Sequence, residues 1–431
     1  MPLAPLAALA LAFALGGCVA GEPRANLDER EAAEARDACS FSAGARAGAT
    51  LSRDAPLGEA IPIDHVIVLM LQGRAFDHVL GALPGADCAP EGAANPDAAG
   101  QSIARRRLTR ACLADPPHSW NAHHVAWGGG RNDGFVRAAA APSAMGYYAP
   151  DDLPGLYSIA SQFAVADGYY SSVLGPPSAN RAFLYAATAF GAVGDEPPAG
   201  DRPTIFSALE AAGVSWAVFS ESSSPAAALS AALAPARFHP YRDFVNAAAG
   251  GNLPQVSFLE PDFAGADGVR DDFDAIADVQ LGDQFLVHLV AAVTRSPAWP
   301  RTALFITFSD DGGFYDHAPP PAACAPDSLA PVLAPTDAPG AFDRLGFRVP
   351  LIAVSPWARR AFVDHTRYDH TSLVRFLEAR FRLPALTARD ANAAPPFALF
   401  DFTRPRLDAP PLAELPLDGS AYKHCDPDDP E

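Results

Sequence analysis

Two continuous apolar runs dominate the pattern of the chain, HVIVLML at 65–71 and ALFITF at 303–308, and each breaks at once into small and polar residues. Runs of this length, rich in β-branched and aromatic residues and without polar alternation, predict strands buried on both faces. The same criteria predict strands at 214–219, 255–259 and 349–354, and helices around 201–212, 282–294 and 371–381. Apolar strands alternating with helices predict an α/β fold, a three-layer sandwich whose mainly parallel sheet is covered on both faces.

Both long runs end in candidate chemistry. Ser309, Asp310, Asp311, Gly312 and Gly313 follow one, and Gln72, Gly73, Arg74, Ala75, Phe76, Asp77 and His78 follow the other. In open α/β sheets ligands bind outside the carboxyl ends of the strands, where the loops diverge. Adjacent carboxylates there suit a hard divalent cation or acid–base work. An ordinary solvated turn explains the same residues, since Asp and Gly dominate turns.

The ends of the chain have a different texture. Residues 3–15 are almost wholly apolar and lead into Gly16, Gly17 and Cys18, too short a stretch to span a bilayer and the right length for a signal peptide at 1–17. Leu15-Gly16-Gly17-Cys18 resembles a bacterial lipobox, which implies lipidation of Cys18 and attachment to the cell envelope; plain secretion or a periplasmic location is the alternative. Residues 18–61 then read as a tether, 62–400 as the folded domain, and 401–431 as a Pro- and Asp-rich tail.

Composition narrows the function classes. A chain of 431 residues with 49% hydrophobic content buries a large core, and its net charge of −19 excludes nucleic acid as a partner. Beyond Cys18, an exported chain can pair Cys39, Cys88, Cys112, Cys324 and Cys425, with one left over. Cys88 and Cys112 bracket a turn-rich segment and are the expected pair. No zinc-finger spacing, Gly-x-Ser-x-Gly elbow, P-loop or Gly-x-Gly-x-x-Gly motif occurs.

Several stretches together carry a resemblance. IDHVIVLMLQGRAFDHVLG at 63–81, DPPHSWNAHHVAWGGGRNDGFV at 115–136, YSIASQFAVADGYYSSVLGPPSANR at 157–181, DVQLGDQFL at 278–286, TALFITFSDDGGFYDHAPPP at 302–321, and the block 347–386 resemble, in order, the signatures of the bacterial phosphoesterase family of phospholipases C and acid phosphatases. The resemblance implies an alkaline-phosphatase-like fold and hydrolysis of phosphoric esters, on a phosphoester small molecule or a phospholipid head group. It also implies a divalent metal ion and a Ser or Thr nucleophile in the G-P-T/S-x-P-N-R loop. Carried over by position, Asn180, Arg181, His118, His317 and His370 are catalytic candidates, and Asp310, Asp311, Asp274 and Gln72 fall on the metal side.

The departures fall on the chemistry. Gln72 and Gly73 stand where the family has Glu and Asn, Ser309 where it has its first acidic residue, and Asp274 is nearest a lost histidine. Pro177 occupies the nucleophile position, with Ser178 one residue later. Two readings stay open: a phosphoesterase in which Ser178 attacks while Asp274, Asp310 and Asp311 rebuild a cation site, and a silent pseudoenzyme kept as a binding lipoprotein. Ser171 or Ser172 is a further candidate nucleophile. Arg74 and Asp77 read as a structural ion pair, His123 and His124 as solvated helix positions, and Trp120, Trp127, Tyr147 and Tyr148 as the aromatic residues available to cage a choline group.

Overall fold

The structure, a computed structural model, describes residues 24–413 apart from 197, 199–201, 223, 230–235 and 264–269. The expected signal peptide, Cys18 and most of the expected tail lie outside the described residues.

Strands β1 (His65–Leu71), β2 (Ala164–Ala166), β3 (Trp216–Ser220), β4 (Phe238–Pro240), β5 (Val256–Glu260), β6 (Thr302–Phe308), β7 (Leu351–Val354) and β8 (Phe362–Asp364) form one eight-stranded sheet in the order β8-β2-β7-β6-β1-β5-β3-β4. Every neighbour is parallel except β7, which runs antiparallel to β6 and to β2. The two long apolar runs are therefore adjacent central strands. The principal helices are α1 (Glu29–Asp37), α2 (Trp120–Trp127), α3 (Pro154–Gln162), α4 (Pro177–Ala186), α5 (Ile205–Ala211), α6 (Tyr241–Gly250), α7 (Val279–Thr294) and α8 (His370–Phe381).

Strand side chains alternate between faces, and residues in register share a face. Val68, Phe258 and Phe305 form one row. Phe258 meets Phe206 of α5 at 5.1 Å and Tyr185 of α4 at 5.7 Å, and Phe305 meets Phe376 of α8 at 5.1 Å. The next row holds Leu69, Leu259, Phe219 and Ile306, and Phe219 meets Phe244 of α6 at 5.5 Å, on the opposite face. Helices α3, α6 and α7 pack together there. The sheet thus lies between two helical layers, the sandwich that the two-sided burial of its strands predicts. Element boundaries follow caps that periodicity does not show: Asp278 accepts from Gln280 N and starts α7 at Val279, and Thr204 with Ser207 forms a capping box that starts α5 at Ile205.

Residues 24–61 are not a free tether. Asp28 and Glu31 cap α1 reciprocally, Ala32 and Arg36 on its inner side are buried, and Ala47, Leu51, Leu57 and Ile61 enter the main core. These apolar residues are spread thinly through an Ala- and Gly-rich stretch, so no periodic signal marks them. Cys39 is disulfide-bonded to Cys324, 285 residues away in sequence, which fastens this arm to the loop after β6. The expected Cys88–Cys112 pair does not form: Cys88 is free, and Cys112 is in a disulfide with another cysteine. Among the described residues no helix is long and apolar enough to cross a membrane.

Candidate active site

Leu71 and Phe308 are in register, so β1 and β6 end side by side and their loops meet at once. Ser309 N donates to Leu71 O at 3.1 Å. Gly312 and Gly313 hold φ of +63° and +74°, the left-handed region that glycine tolerates. A Cβ on Gly312 would lie 2.2 Å from Gly73 O, and one on Gly73 would lie 2.6 Å from Gly312 Cα and 2.8 Å from an Asp310 carboxylate oxygen. The backbones touch here, and position 73 has no room for the amide side chain expected from the family pattern.

Asp310 and Asp311 are both fully buried in this turn. His123 Nε2 lies 2.6 Å from Asp311 Oδ1 and 3.8 Å from Asp310 Oδ2, and His118 Nδ1 lies 3.1 Å from Asp310 Oδ2. Helix α2 supplies His123. Ser119 caps it by accepting from Ala122 N, and Trp120, His123 and Ala126, spaced three apart, form its buried face. His123 is therefore a buried residue of the acidic cluster rather than a solvated helix position. His124 is turned elsewhere, with Nδ1 2.7 Å from Trp120 O.

Electrostatics and satisfaction mark this cluster. Burial alone would raise the Asp310 carboxyl, but His118 and then His123 outweigh it and hold the carboxyl below its usual value. Burial opposes charge on His118, yet Asp310 and the other nearby carboxylates push its pKa up to about 10. Among the described residues only imidazoles form ion pairs with Asp310 and Asp311. Asp311 Oδ2 and His123 Nδ1 are buried without hydrogen-bond partners. Adjacent buried carboxylates with an unpartnered oxygen are costly unless something positive completes them.

A second group, Asp77, Asp316 and His317, is already complete. Arg348 donates to both Asp316 oxygens at 2.7 and 3.1 Å and lies 3.4 Å from Asp77, while His317 N and Nδ1 both lie within 2.8 Å of Asp77 Oδ2. A cation there would meet a guanidinium, so this group does not fit a metal. It also corrects the expected Arg74–Asp77 pair. Arg74 instead donates to the carbonyls of Phe273 and Asp274 and faces His78, because the loop 273–274 reaches it first.

The other expected site residues scatter. Ser178 sits in the first turn of α4, and its hydroxyl donates to Asp195 O at 2.6 Å, on an exposed edge. Asn180 shapes the preceding turn, accepting from Ser172 N and Val173 N and donating to Gly175 O. Arg181 donates to Met70 O, Leu71 O and Gln72 Oε1, which commits the Gln72 amide oxygen. The Asp274 carboxylate is paired to Arg270 at 2.6 Å. Trp127 and Tyr147 do not join an aromatic cage, because Arg344 and Arg105 already lie over their faces at 4.7 and 4.3 Å.

His370, at the first position of α8, is fully buried, with Nε2 2.8 Å from Ser309 O and Nδ1 2.9 Å from Tyr169 Oη. Burial pushes its pKa down to about 4, against an unfolded value near 6.5. Between those values the unfolded chain binds the extra proton, so stability present above pH 6.5 is lost as pH falls toward 4, by about 3 kcal/mol from this group. Urea denaturation at pH 7 and pH 5 is expected to show a smaller acid loss in His370→Gln than in the parent; equal losses would contradict it.

The residues that converge, His118, His123, Asp310 and Asp311, lie in two of the stretches that matched a known family pattern. The Phosphoesterase family matches residues 63–384. The chain belongs to that family. It is 30% identical to phospholipase C A of Mycobacterium tuberculosis over 83% of this chain and 82% of that protein. It is 31% identical to non-specific phospholipase C6 of Arabidopsis thaliana over 81% and 74%, respectively. Among solved structures, a protein of the alkaline phosphatase superfamily from Vibrio parahaemolyticus is similar over 84% of this chain and 78% of its own, at 10% identity and a TM-score of 0.37, a likeness too loose to bear on function. Membership supports a phosphoester hydrolase, and the cluster His123, Asp310 and Asp311 offers donors suited to a metal ion.

Proposed function

We propose that this Phosphoesterase-family protein hydrolyses phosphoric esters at the ends of β1 and β6, with water rather than a serine as the nucleophile. The observation that carries the reading is the pair of buried carboxylates, Asp310 and Asp311, set against His118 and His123 at the carboxyl edge of the central strands, with Asp311 Oδ2 unpartnered. A divalent ion held by these carboxylates would supply fixed positive charge for the phosphoryl oxygens and acidify water. Asp311 Oδ2 accepts a proton from the attacking water, whose oxygen bonds to phosphorus. His118 is partly exposed at the edge of the cluster. It faces Asp310 through Nδ1 and gives a proton from Nε2 to the departing alkoxide. The similarity to enzymes named phospholipase C supports a phosphoester small molecule or a phospholipid head group as substrate, and lipidation of Cys18 would hold the protein at the cell envelope.

Pro177 and the committed Ser178 hydroxyl favour a second reading, in which the fold is kept as a silent binding lipoprotein. Hydrolysis of p-nitrophenyl phosphate and p-nitrophenylphosphorylcholine, with Mn²⁺, Zn²⁺ or Ca²⁺ and with chelator, separates the two. Turnover that chelator abolishes and that Ser178→Ala leaves within about twofold is expected, because a nucleophile's removal costs orders of magnitude. Loss of turnover in Ser178→Ala would restore the serine route, and no turnover in a folded preparation would establish the silent reading.

A further inference from the structure

We propose that the metal site of this chain has been rebuilt around His123: a single ion is bound by His123 Nε2, Asp310 Oδ2 and Asp311 Oδ1, in a mixed nitrogen–oxygen set that selects Zn²⁺ over Ca²⁺. The inference rests on the strand-end cluster being the functional site, but its readout is metal binding rather than turnover.

Of the metal-side positions implied by the family resemblance, Asp310 and Asp311 keep their carboxylates, whereas Gln72 and Asp274 are committed to Arg181 and Arg270. Gln72 Oε1 accepts from Arg181 Nη2 at 2.8 Å. Position 73 is glycine, and a Cβ there would meet the Gly312 backbone. Ser309 has no carboxylate. The donor gained close by is His123. His123 Nε2 and an oxygen of each of Asp310 and Asp311 all lie within 4.8 Å of one another, and all three residues are buried. The separations of His123 Nε2 from the two carboxylate oxygens, 2.6 and 3.8 Å, bracket the roughly 3.3 Å between ligands on a tetrahedral ion with bonds of about 2.0–2.1 Å.

The surroundings support a ligand role for these atoms. Ser309 Oγ donates to Asp310 Oδ1 at 2.8 Å, fixing one oxygen so that the other, Oδ2, faces both imidazoles. Outer partners of this kind orient carboxylate ligands. Asp311 is fully buried with Oδ2 unpartnered, and no guanidinium or ammonium among the described residues pairs with either carboxylate. His118, facing Asp310 Oδ2, is placed to border an open position. Imidazole suits zinc, whereas Ca²⁺ takes about 6–8 oxygens, a shell this cluster lacks.

The test is calorimetric titration of the full chain, stripped with chelator, against Zn²⁺ and Ca²⁺ separately, with thermal melting as a second readout. One Zn²⁺ per chain is expected, with Ca²⁺ weaker by at least about a hundredfold. His123→Ala and the isosteric Asp311→Asn are each expected to weaken Zn²⁺ by more than about a hundredfold, beyond the 10–100-fold typical of an outer partner. His317→Gln, in the group completed by Arg348, leaves Zn²⁺ affinity unchanged. Circular dichroism and melting of the stripped variants show whether each folds, and Asp311→Asn keeps its shape if His123→Ala does not. Absence of Zn²⁺ binding by the parent, Zn²⁺ affinity equal to the parent's in both cluster variants, or Ca²⁺ binding as tight as Zn²⁺ would each overturn the proposal. Zn²⁺ binding lost in the variants of a chain that never turns over would sustain this site while removing the hydrolase reading. Turnover by a parent chain that binds no Zn²⁺ would remove this site while leaving a hydrolase.

Discussion

Asp310→Asn is expected to lower kcat/KM for phosphoester hydrolysis by about a thousandfold or more. The substitution keeps the shape of a fully buried side chain whose one oxygen accepts from Ser309 Oγ and whose other faces His118 and His123. It removes the charge that holds a cation and a protonated imidazole in place, and losses of this size follow when preorganised charge is taken from a phosphoryl-transfer site. A second signature separates this role from simple misfolding. With Asp310 present the His118 pKa is pushed up to about 10; without it, burial is the largest remaining influence and lowers it. A residual activity that needs protonated His118 therefore has its alkaline limb at lower pH in Asp310→Asn. Rates within tenfold of the parent, with an unmoved pH profile, would sink the placement of the site.

The largest effect on stability is expected from Arg348→Ala. Arg348 is buried, donates to both Asp316 oxygens and to the carbonyls of Asp87 and Asp167, and lies over the Phe76 ring at 5.1 Å. Its removal leaves Asp77 and Asp316 buried beside one another without their cation. Breaking a buried pair in this way costs about 3–5 kcal/mol. The cost depends on pH. Burial already raises the Asp316 carboxyl to about 6, with Arg348 as the largest opposing influence. Without Arg348 its folded value rises further above the unfolded one, so the neutral carboxyl is favoured at low pH and stability is lost as pH rises through the folded value. Urea denaturation is expected to show a larger deficit at pH 8 than at pH 5. A deficit below about 1 kcal/mol at both would contradict the network.

Much of the fold is legible in the sequence because the signals are local. Residues 65–71 and 303–308 are apolar on both faces, so they read as central strands before any packing is known, and both form as expected. The acidic turn is legible for the same reason, since Ser309 to Gly313 directly follow a strand. His123 carried a readable clue in the three-residue spacing from Trp120 to Ala126, but adjacent histidines at 123 and 124 obscured which one turns inward.

The sequence by itself therefore determined the layered α/β class, the strands that meet at the centre and the acidic loop at their ends. The tertiary structure alone decided which residues complete that loop. His123 reaches Asp311 across 188 residues of chain, Cys39 reaches Cys324 across 285, and Arg348 comes between Asp77 and Asp316 where Arg74 was the expected partner. Ser178, next to the expected nucleophile position, is turned to Asp195 by the helix turn in which it sits. Periodicity reports which face of an element is buried, but the partner that face meets is set by how distant segments pack, and no local pattern encodes that.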